Sequence, residues 1–161
     1  MTPSFQVRVA TPDDAGSISQ LLSEAFVEFK PLYTSGGFAA TTPTTDQVLT
    51  RMREGPVWLA LREAEPLGTV AAILKEGSVY MRGMAVLPAA RGLGVGEKLL
   101  QQVEHFAKEQ GCTLVFLSTT PFLHAAIQLY EKNGFQRRNE GPQDLFGTPL
   151  FTMEKRISSP R

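Results

Sequence analysis

Residues 84–100 read MAVLPAARGLGVGEKLL, and three local signals within this stretch decide the fold. An apolar run typical of a β-strand comes first, and glycines follow at positions 92, 94 and 96. Apolar residues then recur at helical spacing from Leu99, which predicts an amphipathic helix. A glycine-rich turn that enters a helix leaves backbone N–H groups free at the positive end of the helix dipole. The stretch therefore predicts an anion site that suits a phosphate.

The glycine spacing excludes two common phosphate-binding loops. A Walker A loop ends in Gly-Lys-Ser/Thr, whereas Glu97 follows Gly96 here. A dinucleotide-binding loop reads Gly-x-Gly-x-x-Gly and is followed by an acidic residue after the next strand. The glycines here run Gly-x-Gly-x-Gly, and the strand predicted over residues 113–118 leads into Thr119 and Thr120 without a carboxylate. What remains is Arg-x-x-Gly-x-Gly directly after a strand, and the alternative is a glycine-rich loop that binds no ligand.

Composition indicates one globular domain. With 161 residues, the chain is long enough for a single domain (1–161) that buries a sizeable core. The 16 basic and 16 acidic residues balance, and no basic run favours a nucleic-acid partner. No apolar run approaches the roughly 20 residues of a membrane span, so we expect no membrane partner. A single cysteine, Cys112, and the lack of a signal-peptide core favour a cytoplasmic location.

The order of predicted elements is that of a mixed α/β domain. Thr11 and Thr44 each begin a capping box before an apolar stripe at helical spacing, so both predict helices. Residues 30–43, which lie between these helices, are predicted to form a long loop. Two further helices are predicted to end near residues 111 and 132. Strands are predicted over residues 5–10, 57–61, 68–74, 78–87, 113–118, 135–138 and 150–155. The folded core is expected to span residues 5–156, with 157–161 as a disordered tail.

Two motifs resemble those of the GNAT family of N-acetyltransferases. The pattern Arg91-x-x-Gly94-x-Gly96 resembles the family's acetyl-CoA signature, Gln/Arg-x-x-Gly-x-Gly/Ala. Residues 129–135, LYEKNGF, resemble the family's Leu-Tyr-x-x-x-Gly-Phe motif. The resemblance implies the acyl-CoA N-acyltransferase fold, an α/β fold with a mostly antiparallel central sheet and about four flanking helices. It also implies acetyl-CoA as the acetyl donor. Two histidines and one cysteine give no basis for a metal site.

The resemblance also implies where the cofactor and the general acid would lie. The pantetheine arm of acetyl-CoA would run along the strand before the turn and pair with its backbone, as an added strand does. The residues implied along the pantetheine are Met84, Ala85 and Val86, and those implied at the pyrophosphate are Arg91, Gly92, Leu93, Gly94, Val95 and Gly96. Tyr130 matches the family's tyrosine, which implies that it donates a proton to the departing thiolate. A phenol, with a pKa of about 10, is protonated at neutral pH. The alternative is that Tyr130 is a core aromatic residue.

The chain departs from the family pattern where a general base is expected. Many members carry a glutamate in the strand before the turn, but here that position is Arg82. Many also carry an asparagine after the following strand, where this chain has the hydroxyl residues Ser118, Thr119 and Thr120. The candidate bases that remain are Glu28, His124 and Asp144. Loss of the amine proton to bulk water is the alternative.

Arg82 is also a candidate for acceptor specificity. At period two it would share a face of its strand with Tyr80 and Met84. If this face meets the acceptor, the guanidinium would favour a carboxylate or a phosphate on it. The alternative is that Arg82 forms an ion pair with a nearby acidic residue. Three residues of the predicted loop could line the same pocket: Lys30, Tyr33 and Phe38.

The sequence thus predicts an enzyme that transfers an acetyl group from acetyl-CoA to a primary amine of a small molecule, with an anionic group on the acceptor as an option. Direct attack is expected, because no cysteine–histidine nucleophile is evident. The alternatives are an acetyltransferase for a protein amine, an acyl-CoA-binding sensor with weak catalysis, and a nucleotide-binding protein. By analogy with the family, two copies of the chain could form a homodimer, and the sequence does not decide this.

Overall fold

The computed structural model describes residues 5–158. Its strands are β1 (Gln6–Val9), β2 (Val57–Arg62), β3 (Glu65–Lys75), β4 (Ser78–Val86), β5 (Leu114–Thr119), β6 (Gln136–Arg138), β7 (Asp144–Leu145), β8 (Thr148–Pro149) and β9 (Phe151–Arg156). Its α-helices are α1 (Ala15–Phe26), α2 (Ser35–Thr41), α3 (Thr45–Glu54), α4 (Val95–Glu109) and α5 (His124–Lys132). Short 3-10 helices cover Pro12–Asp14, Val27–Leu32 and Pro88–Ala90.

Seven of the strands form one sheet in the order β1-β2-β3-β4-β5-β9-β6, and β7 and β8 form a separate hairpin. Neighbouring strands of the large sheet are antiparallel except β4 and β5, which run parallel. A parallel pair needs a crossover connection, and α4 supplies it. The predicted α/β fold with a mostly antiparallel central sheet is confirmed.

Helices cover both faces of this sheet. On one face, α1 and α3 bury residues such as Ile18 and Val48. On the other, α4 and α5 bury residues such as Leu99, Val103 and Tyr130. The apolar stripe predicted for α4 therefore faces the core. Within residues 5–158, none of the helices combines the length and the apolar character needed to cross a membrane.

Both predicted capping boxes are present. Thr44 donates its backbone N–H to Gln47 Oε1 (2.9 Å), and the Gln47 N–H donates to Thr44 Oγ1 (3.2 Å) at the start of α3. Asp14 accepts a hydrogen bond from the Thr11 N–H (2.8 Å) and another from Arg8 (2.8 Å). The bond from Arg8 contributes most to lowering the pKa of Asp14 to about 2. The Thr11 box begins a 3-10 turn that continues into α1.

Residues 30–43 are not the long loop that the sequence predicts, because they contain α2. The Gly37 N–H donates to Thr34 Oγ1 (3.0 Å), which caps this helix. Thr34 in turn donates its N–H to Thr148 Oγ1 (2.9 Å) on the β7–β8 hairpin. The hairpin packs so closely that a Cβ on Gly37 would lie 2.3 Å from this oxygen. Two adjacent glycines disfavour a helix by propensity, and these tertiary contacts override that preference.

The folded core extends beyond the predicted boundary at residue 156. Ile157 is buried, and its N–H donates to the Thr113 carbonyl oxygen (2.9 Å). The prediction of a disordered tail over residues 157–161 is therefore wrong at its first position. Residues 159–161 lie outside the described residues.

Candidate active site

A cleft opens in the sheet where β4 and β5 diverge. Their parallel pairing joins only three residue pairs and ends at Tyr80 and Phe116. Beyond this point lies a cleft of about 760 Å³. Residues of α4 and α5 line it from one face of the sheet, and residues of α1, α2 and α3 line it from the other.

A bulge in β4 shapes the start of the cleft. Two residues of β4, Gly83 and Met84, lie opposite a single residue of β3. Gly83 adopts a φ of 63°, in the left-handed region that glycine enters easily. The extra residue shifts the alternation of side chains between the two faces of the sheet. Met84 therefore packs against the core beside α4 and α5, while Arg82 and Ala85 share the opposite face. The prediction that Arg82 and Met84 share a face is wrong for this reason.

The edge of β4 that borders the cleft is open. In the part of the chain that the structure describes, no strand pairs with residues 81–86 on this side. The N–H and C=O groups on this edge can pair with an extended ligand as an added strand would. Met84, Ala85 and Val86, which were predicted to contact the cofactor, all line the cleft.

The turn between β4 and α4 has open space in front of it. Gly92 and Gly94 adopt φ values of 85° and 84°, and a Cβ on either would meet no atom within 4 Å. The free N–H groups at the start of α4 follow directly, so the turn can hold an anion. Gly96 lies against α5, where a Cβ would come within 2.7 Å of Leu129 Cδ2, the mobile end of a leucine side chain. Of the residues predicted at the pyrophosphate, only Leu93 does not line the cleft; it packs against the core.

An ion pair holds the first residue of the turn at the rim of the cleft. Arg91 Nη2 lies 2.7 Å from Glu28 Oε1, and these side chains are 41% and 45% exposed. Glu28 does not line the cleft, and neither do the exposed residues His124 and Asp144. Asp144 instead accepts a hydrogen bond from the Gly147 N–H (3.0 Å) within the hairpin. The structure thus brings none of the three predicted base candidates into the cleft.

Tyr130 lines the cleft from α5 and is buried, with 5% of its surface exposed. Its ring packs against Phe135, with 5.8 Å between the ring centroids. Burial raises the pKa of Tyr130, and the nearby Tyr33 adds to the rise. The hydroxyl is therefore protonated at neutral pH and available as a hydrogen-bond donor.

Two buried hydroxyl groups, those of Tyr33 and Thr120, lie near each other in the cleft. Tyr33, directly before α2, is 9% exposed, and the rings of Phe122 and Phe38 pack edge-on against it at 4.8 and 6.0 Å. The Tyr33 hydroxyl lies near the Thr120 and Thr41 hydroxyls, but neither it nor Thr120 Oγ1 makes a hydrogen bond of good geometry to a described residue. Burial raises the pKa of Tyr33 more than the neighbouring threonine hydroxyls lower it. Buried hydroxyls that line a cleft without a well-formed hydrogen bond are available to a ligand.

Tyr33 is the one residue of the three predicted in segment 30–43 that lines the cleft. Lys30 is exposed, and its Nζ lies over the ring of Phe38 at 5.4 Å from the centroid. Phe38 supports Tyr33 without lining the cleft itself.

Two arginines line the cleft near the point where β4 and β5 still pair. Arg82 donates to Glu54 Oε1 at 2.5 Å, as the ion-pair alternative predicts. Arg51, on α3, donates to the Ala40 carbonyl oxygen (3.2 Å) and forms no ion pair with any described residue. Burial, and secondly the charge of Arg82, lower the pKa of Arg51. Sequence reasoning missed Arg51, although its position three residues after the buried Val48 places it near the inner face of α3.

The cleft therefore combines main-chain donors at the turn with a protonated tyrosine and the guanidinium groups of Arg51, Arg82 and Arg91. Within residues 5–158, no three histidine, cysteine, aspartate or glutamate side chains lie close enough together to hold a metal ion. The chemistry available is that of hydrogen-bond donors, cations and an open strand edge.

Comparison with known sequences identifies relatives across most of the chain. Residues 18–135 match the profile of the Acetyltransferase (GNAT) family. The chain is 30% identical over 137 residues to the uncharacterized N-acetyltransferase YjgM of Escherichia coli K12, and the match covers 81% of each protein. It is 35% identical over 89 residues to the IAA acetyltransferase of Azospirillum brasilense, a match that covers 55% of this chain and 58% of that protein. Human N-acetyltransferase 8B is 28% identical, and the match covers 77% of this chain and 58% of that protein.

Solved structures share the fold. The PaiA N-acetyltransferase of Thermoplasma acidophilum, in complex with coenzyme A, superposes with a TM-score of 0.83 at 15% identity, covering 96% of this chain and 99% of that one. The YncA acetyltransferase of Salmonella typhimurium, solved with its cofactor acetyl-CoA, gives a TM-score of 0.74 at 21% identity, covering 96% and 94%. The profile match, the relative from Escherichia coli and the open strand edge beside an anion-binding turn agree: this chain belongs to the GNAT family of acetyltransferases, enzymes that take their acetyl group from acetyl-CoA.

Proposed function

We propose that the chain transfers the acetyl group of acetyl-CoA directly to the primary amine of a small molecule that carries an anionic group. The observation that carries this proposal is the chemical difference between the two ends of one cleft. Main-chain N–H groups and glycines dominate at the turn, whereas Arg51 and Arg82 dominate where β4 and β5 still pair.

The residues at the turn fit acetyl-CoA. The open edge over residues 81–86 suits the amide-containing pantetheine arm, and Gly92 and Gly94 leave room for a pyrophosphate near Arg91. When bound, acetyl-CoA supplies an acetyl group activated as a thioester.

The proposed step forms one bond and breaks one. The acceptor nitrogen bonds to the acetyl carbon, the C–S bond breaks, and its electron pair leaves on sulfur. The nitrogen releases one proton and the sulfur takes up one, so the products are an amide and a free thiol. Tyr130 donates a hydrogen bond to the departing sulfur. Because burial raises its pKa far above the value of about 8.5 for an ordinary thiol, we infer that Tyr130 stabilises the thiolate more by this hydrogen bond than by complete proton transfer.

The arrangement of carboxylates supports deprotonation by water. Of the described residues that line the cleft, only Glu97 has a carboxylate, and it pairs with Lys132 (3.1 Å) beside the turn. We therefore expect the rate to rise with pH until the pKa of the acceptor amine is reached. The pH–rate profile should show no additional ionisation from a basic residue of the enzyme. The single cysteine, Cys112, is buried and does not line the cleft, which supports direct transfer over a cysteinyl intermediate.

Release of the coenzyme A thiol from acetyl-CoA tests this proposal across amino acids, polyamines, aminoglycosides, arylalkylamines and lysine peptides. We expect turnover with small amines that carry an acidic group, at a higher kcat/KM than with their neutral analogues. Turnover with lysine peptides alone would assign the activity to a protein amine. Binding of acetyl-CoA without turnover on any amine would make the chain a binding or sensor module. Either of these two results contradicts the proposal.

A further inference from the structure

We propose that Arg51 binds a carboxylate of the acceptor, so that the acceptor is an amine that also carries a single carboxylate. This inference rests on the proposed acetyl transfer and names the substrate class of the same cleft. It assigns the anion to a residue of α3, because Arg82 is already paired with Glu54.

The surroundings of Arg51 leave most of its donors free. The bulge in β4 makes room for the guanidinium, since a Cβ on Gly83 would lie only 3.1 Å from Arg51 Nη1. Arg51 Nη2 donates to the Ala40 carbonyl oxygen, and within residues 5–158 the guanidinium makes no other hydrogen bond. A planar guanidinium with unused N–H groups matches the two oxygens of a carboxylate. Arg51 is thus the better placed of the two arginines to receive an anion.

Arg82 is already matched by an acidic partner. Its 2.5 Å contact with Glu54 satisfies that carboxylate, which lies three residues after Arg51 on the same helix. At this spacing Glu54 would otherwise be within reach of Arg51. The hydrogen bond of Glu54 goes to Arg82, while its charge acts on Arg51 only from a distance, so Arg51 keeps N–H groups for an anion.

The local charge fits one carboxylate. Arg82 is paired with Glu54, so of the two guanidinium groups at this end of the cleft only that of Arg51 has no carboxylate partner among the described residues. Lys75 also acts on Glu54, but it does not line the cleft. A carboxylate carries one negative charge, whereas a phosphate monoester carries nearly two. Burial of Arg51 makes its charge poorly solvated, and an anion in the cleft compensates for the lost water.

Groups for the amine lie close to this anion site. The hydroxyls of Tyr33 and Thr120, which make no hydrogen bond of good geometry to a described residue, can accept hydrogen bonds from an amine, and Tyr33 lies near Tyr130. The Thr41 hydroxyl lies near Tyr33, and its neighbour in the chain, Ala40, holds Arg51. A small molecule can therefore span both sites. The apolar side chains that line the cleft nearby favour an apolar substituent: Phe29, Leu123, Leu145 and Leu150.

Equilibrium binding tests this inference without requiring turnover. Calorimetry in the presence of coenzyme A would compare L-leucine, L-methionine and L-phenylalanine with their carboxamides, which lack the negative charge. The proteins are the wild type, Arg51→Gln, and Arg53→Gln as a matched control on an exposed position of the same helix. We expect the acids to bind about 10- to 100-fold more tightly than the amides in the wild type and in Arg53→Gln. We expect this preference to disappear in Arg51→Gln, while the affinity for acetyl-CoA stays unchanged.

A second variant covers the case in which Arg51→Gln destabilises α2. Arg51→Lys keeps the charge and the aliphatic stem but loses the planar fork, so it should retain only part of the preference. No preference in the wild type, or a full preference in both Arg51 variants, would overturn the inference. A preference in binding with no thiol release from any amine would uphold Arg51 as the carboxylate site and refute the proposed acetyl transfer.

Discussion

The two ends of the cleft are built in different ways. At the turn the main chain forms the site, through the open edge over residues 81–86 and the left-handed glycines that precede α4. At the other end side chains form it, and they come from separate segments: Arg51 from α3, Tyr33 from before α2, and Thr120 from after β5. A main-chain site depends on one contiguous stretch, whereas a side-chain site depends on how distant segments pack. We therefore expect changes at the turn to affect cofactor binding, and changes at the other end to alter acceptor choice.

Gly94→Glu should have the largest effect. The substitution places bulk and negative charge where we expect the pyrophosphate, so the affinity for acetyl-CoA should fall at least about 100-fold. Titration calorimetry measures this affinity. The matched control is Gly77→Glu in the β3–β4 turn, because Gly77 also has a positive φ (73°) and open space around its missing Cβ. Retained affinity in Gly94→Glu, or an equal loss in Gly77→Glu, would show that the turn is not the anion site.

Tyr130→Phe should have the next largest effect. Loss of the hydroxyl removes a donor to the departing sulfur, so kcat should fall about 10- to 100-fold. The affinity for acetyl-CoA and the ratio between acidic and neutral acceptors should stay unchanged, since neither end of the cleft is altered. In the wild type, the raised pKa of Tyr130 keeps the hydroxyl protonated. At any pH below about 10, ionisation of Tyr130 should therefore cause no loss of rate. A kcat equal to that of the wild type would make Tyr130 a core aromatic residue only.

Glu28→Gln should have the smallest effect, and in the opposite direction. It frees Arg91 from an exposed ion pair, which is typically worth about 0–1 kcal/mol. The affinity for acetyl-CoA should therefore rise at most about fivefold at low salt, and the gain should vanish as salt screens the charges. Glu24→Gln removes the same charge from an exposed position on α1 and should leave the affinity unchanged. A loss of affinity in Glu28→Gln would mean that the Glu28 ion pair orients Arg91 for the cofactor.

The contrast between the two ends also explains what could be predicted from the sequence. The glycines at 92 and 94 determine the backbone of the turn locally, so their spacing alone predicted a turn open to a ligand, and the anion site there stays a prediction. The capping boxes at Thr11 and Thr44 and the apolar stripe of α4 are equally local, and all three are present.

The remaining features depend on contacts between distant segments. α2 forms although it contains two adjacent glycines, because Thr34 is bound by the β7–β8 hairpin more than a hundred residues later. The bulge at Gly83 reverses the alternation that a regular strand would have, so the face of Met84 was predicted wrongly. In the sequence, nothing distinguishes Arg51 from a surface arginine. Only the packing of α3 beside the cleft places it there. Of the residues that line the end of the cleft proposed for the acceptor, the sequence therefore indicated only some, among them Arg82 and Tyr33.

An NMR titration tests the central claim most directly by locating acetyl-CoA on the backbone. In a protein uniformly labelled with nitrogen-15 and with assigned amides, acetyl-CoA should shift the amides of Met84, Ala85 and Val86 and of residues 92–96 most. Subsequent addition of an amino acid with an apolar side chain should shift the amides around Tyr33, Arg51 and Thr120. Acetyl-CoA shifts concentrated away from β4 and the turn, or a second ligand that competes with the first for residues 92–96, would contradict a single cleft with two separate ends.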